Sequence, residues 1–369
     1  MDGALPATEA MGVLHATEPS TVYLSVAARA SGVTPADVDR ALYEDRTLVK
    51  QLAMRRTLFV FPRDLLPHAL GSASARVAET EGRKIRKDLV TDAVTDDPDG
   101  WMARAEKEIL ASLEGGALSA KEIRAAVPLT DVRVDSAPGS RWSAALPLTP
   151  RVLTWLGARG SVVRGVNGGH WRTSRPVWCR FGEWVSPPPV AVSADEGYTE
   201  IVRRWLRVFG PGTEDDIVWW LGSTKTAARR ALAAVDAVPV SLDDGRVGWV
   251  LADDLEPEPP VEPWTALLPT LDPTTMGWRF RDFYLDPDLA PLLFDSVGNA
   301  GTTAWVDGRV VGCWVQDDDG AVRVVTSVEI DADAERRLAV EAERLTEWLD
   351  GVVIANVYKS HQMKHAKLP

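Results

Sequence analysis

The chain has 369 residues, 45% hydrophobic and 25% charged, with a formal net charge of −12. That length holds two or three domains with a sizeable core, and no run approaches the roughly 18 apolar residues of a membrane span. The opening MDGALPATEA lacks the basic and apolar regions of a signal peptide, so the cytoplasm is the expected location. Cys179 and Cys313 are the only cysteines, too few for a zinc cluster, and no disulfide, structural metal or cofactor is expected.

An acidic balance argues against nucleic acid, because affinity for DNA comes largely from neutralising phosphates with Lys and Arg. The balance is uneven along the chain. Residues 1–90 carry 12 basic and 11 acidic groups, and residues 91–190 carry the same numbers. Residues 191–260 carry 7 and 13, and residues 261–369 carry 10 and 18. A DNA-facing first half with a solvated acidic far side is therefore allowed.

In chain order, periodicity predicts helices near 8–16, 20–31, 35–44 and 45–53, leading into the strand-like RRTLFVF at 55–61. Arg83, Lys84, Arg86 and Lys87 form the densest basic cluster, either a phosphate-binding surface or a solvated helix face. Residues 105–127 give two helices and residues 150–165 a third, followed by the Asn167-Gly168-Gly169 turn and HWRTSRPVWCRF. Pro187-Pro188-Pro189 reads as a linker.

Between residues 195 and 256 lies the clearest pattern. YTEIVRRWLRVFG is apolar-periodic, and a Pro-Gly break follows it. Thr213 is placed to cap a second helix with acids in its first turn, and Ser223 to cap a third. VPVSLDDGRVGWV then reads as a hairpin about an Asp-Gly turn. Three helices and a hairpin make a winged helix, and the same order occurs at 96–190 and, irregularly, at 1–95. Lys225, Arg229 and Arg230 would lie on its third helix, with Glu214, Asp215 and Asp216 nearby to pair them.

A second linker, EPEPPVEP at 256–263, precedes TTAWVDGRVVGCWVQDDDGAVRVV, which alternates around two Asp-Gly turns, and a helix near 333–350. The expected class is α+β: winged-helix units over 1–95, 96–190 and 191–258, then a β-rich, barrel-like domain over 264–369. Trp278, Trp305 and Trp314 read as core residues. His361 and His365 stand at helical i, i+4 spacing, but without a third ligand the tail reads as a disordered basic end.

Four pieces together resemble the AlkZ-type winged-helix DNA glycosylases: PSTVYLSVAAR (19–29), Met54-Arg55-Arg56-Thr57, LLPTLDPTTMGW (267–278) and GNAGTTAWVDGRVVGCW (298–314). The resemblance covers most of the chain. It implies tandem winged helices and a carboxy-terminal barrel around duplex DNA, and removal of alkylated purines or unhooking of alkylation crosslinks. The family's catalytic Gln-x-Gln or Gln-x-Asp falls here on His15-Ala16-Thr17, so His15 and Thr17 are the candidate catalytic pair.

A neutral His can orient or deprotonate water, its ordinary pKa of about 6.5 suiting general-base work, and a Thr hydroxyl can hold the same water. Residues i and i+2 point one way only in extended backbone, and Pro19 biases Glu18 away from helix. Thr17 as a helix cap and His15 as a core-edge polar residue are the plain alternative. Glu18 is a neighbouring carboxylate. No Lys is evidently placed to form a Schiff base, so lyase activity is not expected.

By the same resemblance Arg55 and Arg56 belong to the DNA-facing part of the first unit. Arg309, after the Asp307-Gly308 turn, would sit on a hairpin entering a minor groove. The expected partner is duplex DNA containing alkylated purines, bound near the nucleoid by a monomer with no membrane contact. A non-catalytic winged-helix DNA-binding protein, a lesion binder or regulator, is the rival expectation.

Overall fold

The computed structural model describes residues 2–135, 139 and 144–366. The amino-terminal part is built on a three-stranded antiparallel sheet in which Thr57–Pro62 lies between Leu14–His15 and Leu48–Ala53. The helices Ala4–Glu9, Pro19–Ala27 and Pro35–Asp39 pack around it, the last continuing as a wide turn through Glu44. Two expected helices are thus partly or wholly strand. Residues 14–15 and 48–53 hydrogen-bond to the RRTLFVF strand, whose ladder captures short apolar runs that periodicity alone cannot assign.

Each face of this small sheet joins a different core. Leu14, Leu48, Leu58 and Val60 pack with Val22 and Val26 of the Pro19–Ala27 helix. Val49, Phe59 and Phe61 instead join Tyr198, Trp205, Leu206, Ile217 and Trp220, far along the chain.

Residues 96–190 hold the helices Pro98–Ser112, Ala120–Ala126 and Thr149–Ala158 and a three-stranded sheet ordered Leu118–Ser119, Pro176–Arg180, Val162–Asn167. They share a core with Ala75–Thr91, where Ile85 and Leu89 meet Ile109, Leu153 and Leu156. The clearest stretch folds as expected: Ala194–Phe209, Glu214–Leu221 and Lys225–Ala234, then the hairpin Val238–Ser241 with Val247–Val250. Thr213 caps the middle helix in a reciprocal box with Asp216. The third helix starts one residue later than expected, with Thr224 accepting from the Ala227 amide.

The carboxy-terminal sheet runs Thr265–Leu268, Thr303–Val306, Arg309–Gln316, Val322–Thr326, antiparallel throughout. It stays open. Four strands are too few to close, and the helix Ala332–Leu349 lies across the sheet, where Leu338, Leu345 and Leu349 cover Leu267, Val311 and Trp314. The tail is ordered through Ala366: Ser360 caps a short helix, His361–His365, and the Met363 sulfur accepts the Thr302 amide at 3.3 Å. Residues 367–369 lie outside the described residues.

One segment, 267–280, ties these parts together. The Asp272 carboxylate is fully buried and takes two bonds from Arg29, at 2.9 and 2.6 Å, and one from the Ser25 hydroxyl at 2.7 Å. The Thr21 hydroxyl donates to the Thr270 carbonyl at 2.6 Å. Six residues on, the Trp278 indole donates to the Phe209 carbonyl at 2.9 Å and Trp205 donates to the Gly277 carbonyl at 3.2 Å. Asp216 accepts the amides of Arg279 and Phe280 at 2.8 and 3.0 Å.

Removing one partner of a buried ion pair leaves the other charge stranded. Asp272→Asn is expected to cost about 3 kcal/mol of unfolding free energy and Ser25→Ala about 1, read as a lower urea midpoint. A loss for Asp272→Asn no larger than that for Ser25→Ala would show that the pair is not the joint described here.

Candidate functional site

The His15-Ala16-Thr17 segment enters the sheet and leaves it within three residues. His15 stands opposite Phe59, the rings 4.9 Å apart, and the Ala16 amide donates to the Leu58 carbonyl at 2.9 Å. Glu18 is extended (φ −90°, ψ 114°), as a residue before proline is held, and Pro19 opens the next helix. Thr17 is exposed and His15 buried.

The His15 Nδ1 is buried with no hydrogen-bond partner among the described residues. Burial, reinforced by the Arg55 charge, pushes the imidazole from 6.5 down to about 3. This changes its expected chemistry: the ring is neutral at any physiological pH and a far weaker base than an ordinary His. Glu18 does not supply the missing base. Its carboxylate turns into the carboxy-terminal part and accepts the Val357 amide at 2.9 Å. Burial raises its pKa, partly opposed by the Val357 and Tyr358 amides.

Arg55 and Arg56 are both left-handed (φ 53° and 60°), a conformation costing on the order of 1–3 kcal/mol each for side-chain-bearing residues. Gly222 makes room for this turn, since a Cβ there would lie 2.9 Å from the Arg55 nitrogen. The Arg55 guanidinium sits 4.2 Å from the Trp219 ring, its Nε unpartnered among the described residues. Burial and the charge of Arg281 lower it to about 10.

Arg281 was not singled out from the sequence. It lies 5.3 Å from the same Trp219 ring and 4.4 Å from Phe294, its Nε is also buried without a partner among the described residues, and its Nη2 reaches the Gly298 carbonyl at 3.3 Å. The cleft it lines, with Trp219, Arg279 and Phe294, has a volume of about 710 Å³. The available signal was RFRD at 279–282, directly after LLPTLDPTTMGW.

Except for Lys87, the other basic candidates are engaged. Arg56 and Lys84 converge on the buried Glu81 at 2.9 and 3.0 Å. Burial pushes that carboxyl up, but hydrogen bonds and charge from Lys84 and Arg56 outweigh it and hold Glu81 below its ordinary value. Arg83 pairs with Glu79 at 3.8 Å and Arg86 with Asp99 at 2.6 Å, while Lys87 is exposed with no ion pair among the described residues. Arg309 donates to the Phe283 carbonyl at 2.8 Å, holding it against the turn at 282–284.

Lys225 and Arg229 pair with the expected neighbours Asp215 and Glu214, while Arg230 pairs with Asp195 on the helix Ala194–Phe209. Trp305 and Trp314 are core, and Trp278 is half-buried against Phe209. The His361 and His365 rings lie 4.5 Å apart, and among the described residues no three potential metal ligands come together.

Helical units joined to small antiparallel sheets, with cationic and aromatic side chains at their junctions, are a common architecture for proteins that handle nucleic acid. A family model described as DNA glycosylase AlkZ-like matches residues 8–348, and the chain belongs to this AlkZ-like DNA glycosylase family. The fold is similar to that of Streptomyces sahachiroi DNA glycosylase AlkZ, with a TM-score of 0.72 at 18% identity over 94% of this chain and 92% of that one. No curated protein matches the sequence.

The His15 shift makes a stability prediction. The unfolded chain binds a proton near pH 6.5 that the folded chain refuses until about pH 3, so stability falls with pH across that window. His15→Gln, which cannot titrate, should show a shallower drop in thermal midpoint between pH 6.5 and 4. Parallel pH curves for the two proteins would mean that His15 is solvated.

Proposed function

We propose that the chain is a monofunctional DNA glycosylase that hydrolyses the N-glycosidic bond of alkylated purines or unhooks alkylation crosslinks. Its water is placed by His15 and Thr17. The observation that supports this most directly is the unpartnered Nδ1 of a neutral imidazole two residues from an exposed hydroxyl, at the end of an extended segment.

A purine alkylated at N7 or N3 already carries positive charge. When its bond to C1′ breaks, the electron pair returns to the base nitrogen and the base leaves neutral. An oxocarbenium ion remains at C1′, water adds there, and the water's proton passes to solvent beyond Thr17. Acid catalysis of departure is not required, and a base as weak as His15 orients the water rather than deprotonating it beforehand. Without a carboxylate, the pair offers the cation less electrostatic stabilisation than an Asp would, so turnover is slower than with a Gln-x-Asp motif.

In this proposal residues 1–95, 96–190 and 191–258 act as winged-helix units and residues 264–369 as the closing β-rich unit. A single copy encloses duplex DNA in the cytoplasm, at the nucleoid. Arg55, Arg83, Lys84, Arg86 and Lys87 contact phosphate, and Arg309 approaches the minor groove. Arg56 and Lys84 trade Glu81 for phosphate, at the cost of leaving that buried carboxylate without its cations.

The test is release of N7-methylguanine and of a bulky alkylpurine from duplex DNA by wild type, His15→Ala and Thr17→Ala at matched folding. Release by wild type is expected to fall about a hundredfold in His15→Ala, and to be flat from pH 5 to 8, because the His15 pKa of about 3 lies outside that range. A bell or step centred near pH 6.5 would contradict a buried neutral imidazole. The burial of His15 also favours a second reading, a lesion binder without chemistry, for which wild type retains alkylated DNA and releases no base from either substrate.

A further inference from the structure

The side of the amino-terminal sheet away from His15 carries two cations that the proposed chemistry does not use. Lys50 stands opposite Val60, which stands opposite Leu14, so these three side chains share one face, while Gln51, Phe59 and His15 share the other. Arg164 comes from Val162–Asn167, a strand of the next sheet along the chain. Both side chains line a recess of about 20 Å³ whose wall includes Ala16 and Pro19, the residues on either side of Thr17-Glu18. Behind them both line a second space of about 30 Å³.

Neither cation has a carboxylate bonded to it among the described residues. The Lys50 ammonium donates to the Tyr43 hydroxyl at 2.7 Å, and the nearby Asp39 carboxylate is taken by the Tyr23 hydroxyl at 2.6 Å. Arg164 lies 5.5 Å from the Trp178 ring and has no hydrogen bond or ion pair among the described residues. Burial and the Arg164 charge push Lys50 down to about 8, and burial lowers Arg164 as well. Two like charges near each other in a partly buried place are unfavourable in the free protein and become favourable when an anion arrives.

The mouth of the recess is rigid. The Asn167 side-chain amide donates to the carbonyls of Gly169, His170 and Thr173, and its oxygen accepts the Arg175 amide at 2.7 Å. Trp171 is wedged between Tyr23 at 5.2 Å and Trp348 at 5.7 Å, and Arg172 donates to the Val353 carbonyl. Thr173 and Ser174 are exposed at this rim.

We propose that Lys50 and Arg164 seat one non-bridging oxygen of a DNA backbone phosphate beside the nucleotide presented to Thr17. The recess is small, about 20 Å³ at its floor, and suits a phosphate oxygen better than a base. A phosphodiester lies on each side of every sugar, so a sugar held at Thr17 necessarily brings one to the neighbouring surface. Lys50 and Arg164 are then positioning residues that fix the register of the strand. This inference rests on the glycosylase proposal for its ligand.

The experiment measures binding of the whole protein to duplexes carrying a tetrahydrofuran abasic analogue, with a neutral methylphosphonate replacing each flanking phosphate in turn. Wild type should lose roughly tenfold in affinity at one flanking position, the scale of a lost charge-assisted hydrogen bond. Lys50→Met and Arg164→Met should show that loss already with native phosphate, and no further loss with methylphosphonate. Their thermal midpoints without DNA should equal or exceed that of wild type, which a merely structural role for the cations would not give. If either variant misfolds, Arg164→Gln and Lys50→Gln serve in its place.

Binding by wild type that is indifferent to methylphosphonate at every flanking position overturns the seat and leaves the glycosylase proposal standing. Stabilisation of wild type by inorganic phosphate, with no methylphosphonate effect, identifies a small-anion site and also overturns it. Failure to bind any duplex overturns both proposals together.

Discussion

The arrangement depends on a single buried carboxylate. Asp272 has no access to water, and it is held there because Ser25, on the helix Pro19–Ala27, and Arg29, just past its end, supply the bonds that water would otherwise make. A charge buried in this way is costly unless it is fully bonded, so the contact tolerates only one placement of the carboxy-terminal sheet against the amino-terminal helices. With that placement set, Gly277 and Trp278 reach the helix Ala194–Phe209, and Asp216 receives the amides that follow. Parts separated by some 240 residues thereby face each other across the segment that contains Thr17.

The same joint accounts for the electrostatics around the motif. Glu18, the nearest carboxylate in sequence, is drawn out of the site to satisfy amides of residues 357 and 358. What remains near His15 is cationic: Arg55 with Arg281 toward Trp219, and Lys50 with Arg164 across the sheet. Such surroundings keep an imidazole neutral and suit a polyanion whose phosphates supply negative charge on binding. The acidic surplus of the second half is partly spent internally, on Lys225, Arg229 and Arg230, so it does not need to face DNA.

The His15-Ala16-Thr17 segment therefore has cations on both sides. Strand alternation turns Ala16 toward the recess with Lys50 and His15 toward Phe59, so a small residue between the two candidates leaves the cationic side open. The family assignment stands on the match over residues 8–348, and the likeness to the Streptomyces sahachiroi protein extends over nearly the whole of both chains.

Much of this was legible in the sequence. The three helices and hairpin between residues 194 and 250 declared themselves through capping residues and an Asp-Gly turn, because capping and turn chemistry act over three or four residues. The carboxy-terminal meander was visible in its alternation, and the family in four motifs. Only the tertiary structure decided that residues 48–53 are a strand, since a ladder partner outweighs a weak local preference. It alone left the carboxy-terminal sheet open and ordered the tail through Met363. It alone decided the protonation of His15 and left Lys50, Arg55, Arg164 and Arg281 without an ion pair among the described residues. Burial and the nearest opposite charge are properties of neighbours brought in from tens to hundreds of residues away, and no local pattern encodes which carboxylate will already be taken.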